Sequence, residues 1–156
     1  MIEAGQPAPD FTLQDQHGKP VTLSKLKGTP VVLYFYPKDD TPGCTKEACA
    51  FRDARAEYEK AGAKVLGVSP DTVASHEKFV RKYELPFTLL ADTEKTVCES
   101  YGVWQEKNMY GKKSMGVVRT TFVIDGKGIV RKVFPRVKVD GHSDKVLEAL
   151  KGDHAS

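Results

Sequence analysis

Three cysteines are the residues of this 156-residue sequence that are suited to redox chemistry, and Cys44 has the most informative position. It follows the turn segment 39–43, which separates an apolar run from a helical pattern. Cys44 is therefore predicted to lie in the first turn of a helix. The unpaired N–H groups and the positive dipole end of a helix N-terminus favour the thiolate, which is the nucleophilic form of cysteine.

The turn before Cys44 also contains residues that suit chemistry. The hydroxyl of Thr41 is placed to hydrogen-bond either the sulfur or the group that the sulfur attacks. Pro37 and Pro42 stiffen the turn without offering competing donors. A small, buried and inert thiol is the alternative, since most free cysteines are packed in this way. Position and turn alone leave the two roles open.

The spacing Pro37-x-x-x-Thr41-x-x-Cys44 resembles the active-site signature of the peroxiredoxins, which are thiol peroxidases on a thioredoxin-like fold. The run TPGCTKEAC, with Cys49 five residues after Cys44, is similar to the bacterioferritin-comigratory, or Q-type, subgroup. Three separated stretches agree in order and spacing, so the resemblance covers nearly the whole chain.

The two other stretches lie towards the ends of the chain. PAPDFTL at residues 7–13 resembles the N-terminal strand of the family. VVRTTFVID at residues 117–125 carries Arg119 where the family keeps a catalytic arginine. In the predicted strand Arg119 shares a face with Thr121 and Val123. It is either an edge-strand residue paired with a surface carboxylate or a fixed cation beside the thiolate, and the resemblance favours the second role.

The resemblance implies a reaction and the residues that carry it out. Cys44 attacks the terminal oxygen of hydrogen peroxide or an alkyl hydroperoxide and becomes a sulfenic acid. Thr41, Pro37 and Arg119 form its pocket. Cys49 attacks the sulfenic acid to give an intramolecular disulfide, which thioredoxin or glutaredoxin reduces by exchange. No metal, flavin or haem cofactor takes part.

Cys98 and two other function classes remain as alternatives. Cys98 lies beside Val97 on a short helical pattern, which favours a half-buried thiol, although some Q-type relatives use a different resolving cysteine. A thiol–disulfide oxidoreductase normally has Cys-x-x-Cys, whereas four residues separate Cys44 from Cys49. A non-catalytic redox sensor would pass its disulfide to a partner protein, and the sequence leaves that role open.

Composition and charge narrow the class of protein. With 156 residues and 40% hydrophobic composition, the chain is predicted to form a single domain, residues 1–156, with a real core. A net charge of +3 without runs of like charge argues against nucleic acid as a partner. The sequence shows neither a leader pattern nor a long apolar run, so we expect a cytoplasmic protein that does not bind membranes. Without Cys-x-x-Cys or a paired histidine spacing, no zinc site is expected. We also expect a monomer.

Alternating strand and helix patterns predict the elements that position these residues. Residues 31–36 form a buried central strand, and residues 44–61 form a helix that ends at Gly62. Residues 64–69 form a strand parallel to the first, after a right-handed crossover. The whole pattern predicts an α/β, thioredoxin-like sandwich: a mixed central β-sheet flanked by helices, with an N-terminal β-hairpin extension.

Other polar residues are predicted at the surface. The charged residues of the Cys44 helix, Glu47 and Arg52 among them, are assigned to a solvated face, with the alternative that either one helps to hold the active turn. His76 is placed at the rim of a helix stripe, and His142 and His154 in a loop and the tail. Residues 104–115 have lost periodicity and are predicted to form an exposed connection.

Overall fold

A mixed sheet, with helices on its two faces, forms the centre of the protein. The computed structural model describes residues 1–153, and His154 lies outside the described residues. The elements follow one another as β1 (Thr12–Gln14), β2 (Pro20–Thr22), a short 3-10 helix (Leu23–Leu26), β3 (Val31–Phe35), α1 (Pro42–Asp53), α2 (Arg55–Lys60), β4 (Lys64–Ser69), α3 (Val73–Tyr83), β5 (Thr88–Ala91), α4 (Thr96–Ser100), β6 (Trp104–Met109), β7 (Lys112–Val117), β8 (Thr120–Ile124), β9 (Val130–Phe134) and α5 (His142–Asp153).

Within the described residues the main sheet has seven strands in the order β2-β1-β5-β4-β3-β8-β9. β3 pairs in parallel with β4, and β4 pairs in parallel with β5. β8 is antiparallel to β3, and β9 forms a hairpin with β8 and so continues the sheet. The β1–β2 hairpin extends the other edge through β5. The predicted mixed sheet with an N-terminal hairpin is confirmed.

The central strand β3 divides the interior into two cores. All five of its residues are buried, as expected for a strand covered on both faces. Leu33 and Phe35 point into one core, which also receives residues of α4. Val32 and Tyr34 point into the other core, which is completed by residues of α1, α2, α3 and α5. None of the helices described within residues 1–153 combines the length and apolar character needed to cross a membrane.

The helix predicted over residues 44–61 is in fact two helices. α1 ends at Asp53 and α2 begins at Arg55, because Ala54 leaves the helical region with φ −93° and ψ 12°. Phe51 before the break and Tyr58 after it pack into the same core. The apolar stripe therefore continues across the break, and hydrophobic periodicity does not reveal it.

The connection predicted for residues 104–115 is a β-hairpin. β6 and β7 pair from Trp104 opposite Val117 to Met109 opposite Lys112, so the predicted exposed connection has a regular strand structure that the sequence analysis did not predict. Tyr110 and Gly111 form the tip, both with positive φ, as the favoured two-residue hairpin turns require. Most side chains of this hairpin are polar or exposed. It consequently lacks the apolar alternation by which strands are recognised.

Candidate active site

Cys44 is the third residue of α1, and its side chain is buried in the core below that helix. The helix begins here because Thr41 has an extended backbone and Pro42 occupies the first helical position, where a missing N–H costs nothing. The Thr45 N–H donates to the Thr41 carbonyl oxygen at 2.8 Å, which closes the first turn. The predicted position of Cys44 in the first helical turn is confirmed.

The guanidinium of Arg119 lies directly beside the Cys44 sulfur. Nη2 donates to Sγ at 3.3 Å, and Nη1 donates to Oε1 of Glu47 at 2.7 Å. Arg119 lies in the two-residue link between β7 and β8, so the strand predicted over residues 117–124 is interrupted there. A Cβ at Gly43 would lie 3.1 Å from Nη2, so the missing side chain at Gly43 leaves room for the cation. A fixed guanidinium at this distance can stabilise negative charge that develops at the sulfur.

Glu47 is buried, with 1% of its surface exposed, so its assignment to a solvated face is wrong. Burial raises the pKa of its carboxyl group to about 7, although the charge of Arg119 acts in the opposite direction. Oε2 has no hydrogen-bond partner among the described residues. Glu47 lies three residues after Cys44, and this spacing places both on one helix face. That spacing is the signal from which the sequence could have identified it.

Burial lowers the pKa of the Arg119 guanidinium, but the Glu47 carboxylate and the Cys44 sulfur outweigh it and raise that pKa. Arg119 therefore stays charged. It bridges an acidic group and a thiol on one face of α1, and its own backbone carbonyl accepts a 2.9 Å hydrogen bond from Val137 N–H. The cation is thus fixed at both its side chain and its backbone.

Comparison with known proteins agrees with this geometry. The sequence profile of the AhpC/TSA family matches residues 4–133. A putative peroxiredoxin bcp of Coxiella burnetii is 57% identical over 149 residues, which cover 96% of this chain and 99% of the relative. Peroxiredoxin Bcp of Bacillus subtilis is 49% identical over 150 residues, 96% of each chain. The chain belongs to the AhpC/TSA family, as a peroxiredoxin of the Bcp, or Q, group.

Solved structures lead to the same family. The bacterioferritin comigratory protein of Xanthomonas campestris, studied for alkyl peroxide reduction, superposes with a TM-score of 0.91 at 43% identity, covering 99% of this chain and 100% of that one. A cysteine-to-serine mutant of Xylella fastidiosa PrxQ gives a TM-score of 0.93 at 35% identity, covering 100% and 99%. As a peroxiredoxin, the protein is a thiol-dependent peroxidase, with a peroxide as substrate and a thiol reductant such as thioredoxin.

The remaining predicted site residues of this peroxiredoxin lie around the turn before α1. Pro37 follows β3 and is half-buried. The Thr41 hydroxyl donates to the Lys38 carbonyl oxygen at 2.9 Å, and it makes no cap hydrogen bond to α1. Its oxygen therefore keeps lone pairs free to accept a further hydrogen bond. The structure places Pro37 and Thr41 in one turn with Cys44.

The β6–β7 hairpin contributes a cation that the sequence analysis missed. Burial lowers the pKa of the Lys107 ammonium, the Arg119 charge lowers it further, and the Cys44 sulfur raises it. The ammonium thus lies within the electrostatic reach of both. Gly116 on the neighbouring strand leaves room for the lysine stem, since a Cβ there would lie 3.3 Å from Lys107 Cδ. The pairing of β6 with β7 brings the ammonium within electrostatic reach of the peroxiredoxin site.

The two other cysteines have different surroundings. Cys49 is half-buried on α1, and all three thiols are free. Cys98 is fully buried in the core that lies across the sheet from Cys44, rather than half-buried as predicted. Burial raises the pKa of the Cys98 thiol, and the neighbouring Asp92 carboxylate raises it further. The structure therefore groups Cys44 with Cys49 on one helix and separates both from Cys98.

His142 is the first residue of α5 and is buried, so its prediction as a loop residue is wrong. Nε2 lies 2.8 Å from Thr121 Oγ1, and the ring packs edge-on against Phe51 and Phe134. Burial is the main cause that lowers the pKa of His142 to about 4, and Lys145 adds to it. His76, predicted at a rim, is also buried. The neighbours of each ring come from distant parts of the chain, so local sequence does not show the burial.

Proposed function

We propose that Cys44 is the peroxidatic cysteine of this thiol peroxidase and that Arg119 is the cation that activates it. The observation that carries the proposal is the guanidinium that donates to both the Cys44 sulfur and the buried Glu47 carboxylate. One cation is thereby held at a single position beside the nucleophile.

In the first step the Cys44 thiolate attacks the terminal oxygen of a hydroperoxide. A sulfur–oxygen bond forms, the oxygen–oxygen bond breaks, and the leaving oxygen takes a proton to depart as water or an alcohol. Sulfur loses two electrons and the peroxide gains them. Negative charge moves from sulfur to the leaving oxygen, so the donors that matter are those already aimed at both atoms.

Two groups supply those donors, and Thr41 supplies an acceptor. Arg119 lies against the sulfur, and the free N–H groups of the first turn of α1 point out of its N-terminus. The Thr41 hydroxyl oxygen completes the pocket by accepting a hydrogen bond from the O–H of the attacked peroxide, while Pro37 stiffens the turn. Each group is in place before the reaction, so little reorganisation is needed when charge develops.

In the second step Cys49 attacks the sulfenic acid of Cys44. A disulfide bond forms and the sulfenic oxygen leaves as water, which takes up the thiol proton. Thioredoxin, or glutaredoxin as a similar dithiol, then reopens the disulfide by exchange and restores both thiols. Cys49 is supported by its place on α1 with Cys44, whereas Cys98 lies across the sheet.

Peptide mass spectrometry after one equivalent of peroxide tests these roles. We expect a single linked peptide that joins Cys44 to Cys49, and in a Cys49→Ser variant a sulfenic acid on Cys44. A disulfide that includes Cys98, or sulfenic acid on another cysteine, would contradict the assignment.

The broader setting is part of the same proposal. We place the chain in the cytoplasm as one domain that needs neither nucleic acid nor membrane. Support comes from three free thiols, which suit a reducing compartment, and from one continuous sheet that runs from β2 to β9. The monomeric state stays a prediction, and sedimentation equilibrium is the measurement that checks it.

A further inference from the structure

Asp39 and Asp40 lie in the turn between β3 and α1, here called the peroxidatic turn, and both are bound by one helix, α3. Asp40 has a left-handed backbone with φ 56°, and its carboxylate accepts from Lys82 Nζ at 2.7 Å and Tyr83 Oη at 2.6 Å. Asp39 is bound by the first turns of the same helix, through Ser75 and His76. We call these four α3 residues, Ser75, His76, Lys82 and Tyr83, the α3 clamp.

The contact between Asp39 and His76 is the buried part of the clamp. His76 Nδ1 lies 2.7 Å from Asp39 Oδ2, and the side chains are 0% and 4% exposed. Asp39 also accepts from Tyr36 Oη at 2.6 Å and from Ser75 Oγ at 2.8 Å. A charged group so deeply buried is stable only when it is paired and hydrogen-bonded, and this carboxylate is both.

Hydrogen-bond chemistry also determines how many protons the pair carries. His76 Nε2 lies 2.9 Å from the Leu90 carbonyl oxygen, which can only accept, so Nε2 carries a proton. On the other side Nδ1 faces a carboxylate. The 2.7 Å contact between Nδ1 and Asp39 Oδ2 is therefore a hydrogen bond in which the ring and the carboxyl group share one proton.

A metal ion is not needed to account for this cluster. Ligand atoms of Asp39, Asp71 and His76 lie within 4.8 Å of one another. However, Asp71 Oδ2 already accepts from Ser69 Oγ at 2.6 Å and from Asp39 N–H at 2.8 Å. Donors within the protein thus satisfy the same oxygens that a cation would use, and they tie the backbone of the turn to β4.

We propose that the α3 clamp, with His76 at its centre, is a positioning device for the peroxidatic turn. It holds Asp39 and Asp40, the two residues before Thr41, and so sets where Thr41 and Cys44 lie relative to Arg119. His76 touches neither sulfur nor Arg119 and acts only through the turn. The inference rests on the proposed role of Cys44.

The position of the clamp in the chain gives it a second consequence. Residues five apart on a helix have Cα atoms about 8.7 Å apart, beyond the roughly 4.4–6.8 Å that a disulfide spans, so the start of α1 must open before Cys44 can bond to Cys49. The clamp binds Asp39 and Asp40, which precede that start. The clamp therefore provides a fixed end from which α1 can rewind after each cycle. Loss of the α3 clamp should misplace Cys44 even while the protein stays folded.

Stopped-flow kinetics of Asp39→Asn and His76→Asn test the clamp. We expect the rate of Cys44 oxidation by hydrogen peroxide to fall by about 10-fold or more in each variant, because misplacement by about 1 Å has this scale of effect on positioned groups. Alkylation of Cys44 by iodoacetamide at a pH where the thiol is fully ionised does not use the peroxide-binding groups, so its rate should fall much less than the peroxide rate. Heteronuclear NMR of the wild-type protein should show a proton on Nε2 and a second proton in the hydrogen bond between Nδ1 and Asp39, and Asp39→Asn should remove the second signal.

Asp92→Asn is the matched control, because Asp92 is an equally buried aspartate whose carboxylate accepts from the Val97 and Cys98 N–H groups of α4 and makes no bond to the peroxidatic turn. It should leave the peroxide rate unchanged. Tyr83→Phe removes one hydrogen-bond donor to Asp40 and leaves no buried polar group without a partner. It therefore keeps the proposal testable if the buried variants fail to fold. Peroxide rates that stay at the wild-type value in Tyr83→Phe and in the folded buried variants would overturn the clamp. Unreactive Cys44 in the wild-type protein would instead overturn the proposed function.

Discussion

At the scale of single residues, the guanidinium of Arg119 donates to the sulfur of Cys44, the proposed nucleophile. Replacing it in an Arg119→Met variant keeps the bulk of the side chain and removes the charge. We expect the peroxide rate constant to fall by about 10²-fold, the usual effect of removing one preorganised donor. Stopped-flow measurement with hydrogen peroxide checks this.

A matched control for the charge is Arg131→Met, because Arg131 pairs with Asp125 at an exposed position on β9. This variant should react at the wild-type rate. If Arg119→Met were as fast as Arg131→Met, the guanidinium would have no part in the chemistry.

Glu47 makes stability depend on pH, because burial raises the pKa of its carboxyl group to about 7 from an ordinary 4.5. The stabilising contribution of the neutral form is complete below pH 4.5 and is lost as pH rises through about 7. Glu47→Gln cannot ionise and should escape this loss. The difference in unfolding free energy between Glu47→Gln and wild type should therefore rise by about 3 kcal/mol, in favour of the variant, as the pH is raised from acidic to mildly alkaline.

Urea denaturation of both proteins across this range checks the prediction. Burial also lowers the pKa of His142 to about 4, so its contribution is present above pH 6.5 and is lost as pH falls. His142 is the same in both proteins, and its effect therefore cancels in the difference. The exposed Glu106→Gln serves as control, and parallel curves for wild type and Glu47→Gln would contradict the prediction.

At the scale of elements, α1 must change shape for the proposed disulfide to form. Residues five apart on an α-helix have Cα atoms about 8.7 Å apart, beyond the roughly 4.4–6.8 Å that a disulfide spans. The start of α1 must therefore unwind on oxidation. The buried Glu47, near the start of α1, is paired with Arg119. Unwinding should consequently also separate that pair.

Amide hydrogen exchange should detect this transition. We expect exchange to rise on oxidation over residues 41–51 and to change little in β3, whose residues are fully buried. A Cys49→Ser variant, which cannot form the bond, should keep its protection after peroxide treatment. A Cys44–Cys49 disulfide in a helix of unchanged protection would show that resolution does not need unwinding.

The strand β4 contains a glycine where two neighbours leave no space. A Cβ at Gly67 would lie 2.7 Å from Leu89 Cδ2 and 2.9 Å from Tyr34 Cζ. Gly67→Ala should therefore lower the unfolding free energy by about 1–3 kcal/mol, the cost of overpacking. Urea denaturation checks this, with Gly152→Ala as control because nothing lies within 4 Å of a Cβ there. Equal stability of Gly67→Ala and wild type would mean that β4 can shift to accept the methyl group.

At the scale of the whole molecule, the sheet places Cys44 and Cys98 in different cores. Cys44→Ser should abolish peroxide turnover with a dithiol reductant, whereas Cys98→Ser should retain most of it. The reason is that Cys98 would have to leave a fully buried site and cross the sheet to reach the nucleophile. A coupled thioredoxin assay measures the turnover.

Circular dichroism of the Cys98→Ser variant separates a chemical effect from a loss of fold, and Cys98→Ala repeats the test without burying a hydroxyl group. Lost turnover in folded Cys98 variants would make Cys98 the resolving residue. It would also mean that Cys98 leaves its buried position during the catalytic cycle.

The sequence by itself determined the features that depend on local physics. A run of branched and aromatic residues predicts β3, and a proline-rich turn followed by a helical stripe predicts that Cys44 opens α1. The order of strands and helices predicts the mixed sheet, because a parallel pair needs a crossover between its strands. These predictions need only neighbouring residues, and they agree with the structure.

Only the tertiary structure decided which polar side chains are buried and what they touch. In the sequence, Glu47 is one more charged residue on an amphipathic helix. The fold places Arg119, 72 residues away, beside it. Lys107 enters the site because a hairpin without apolar alternation folds there, and His76 is buried because the active turn packs against α3. Burial of a charged or polar group depends on the partner that compensates it, and that partner comes from a distant segment.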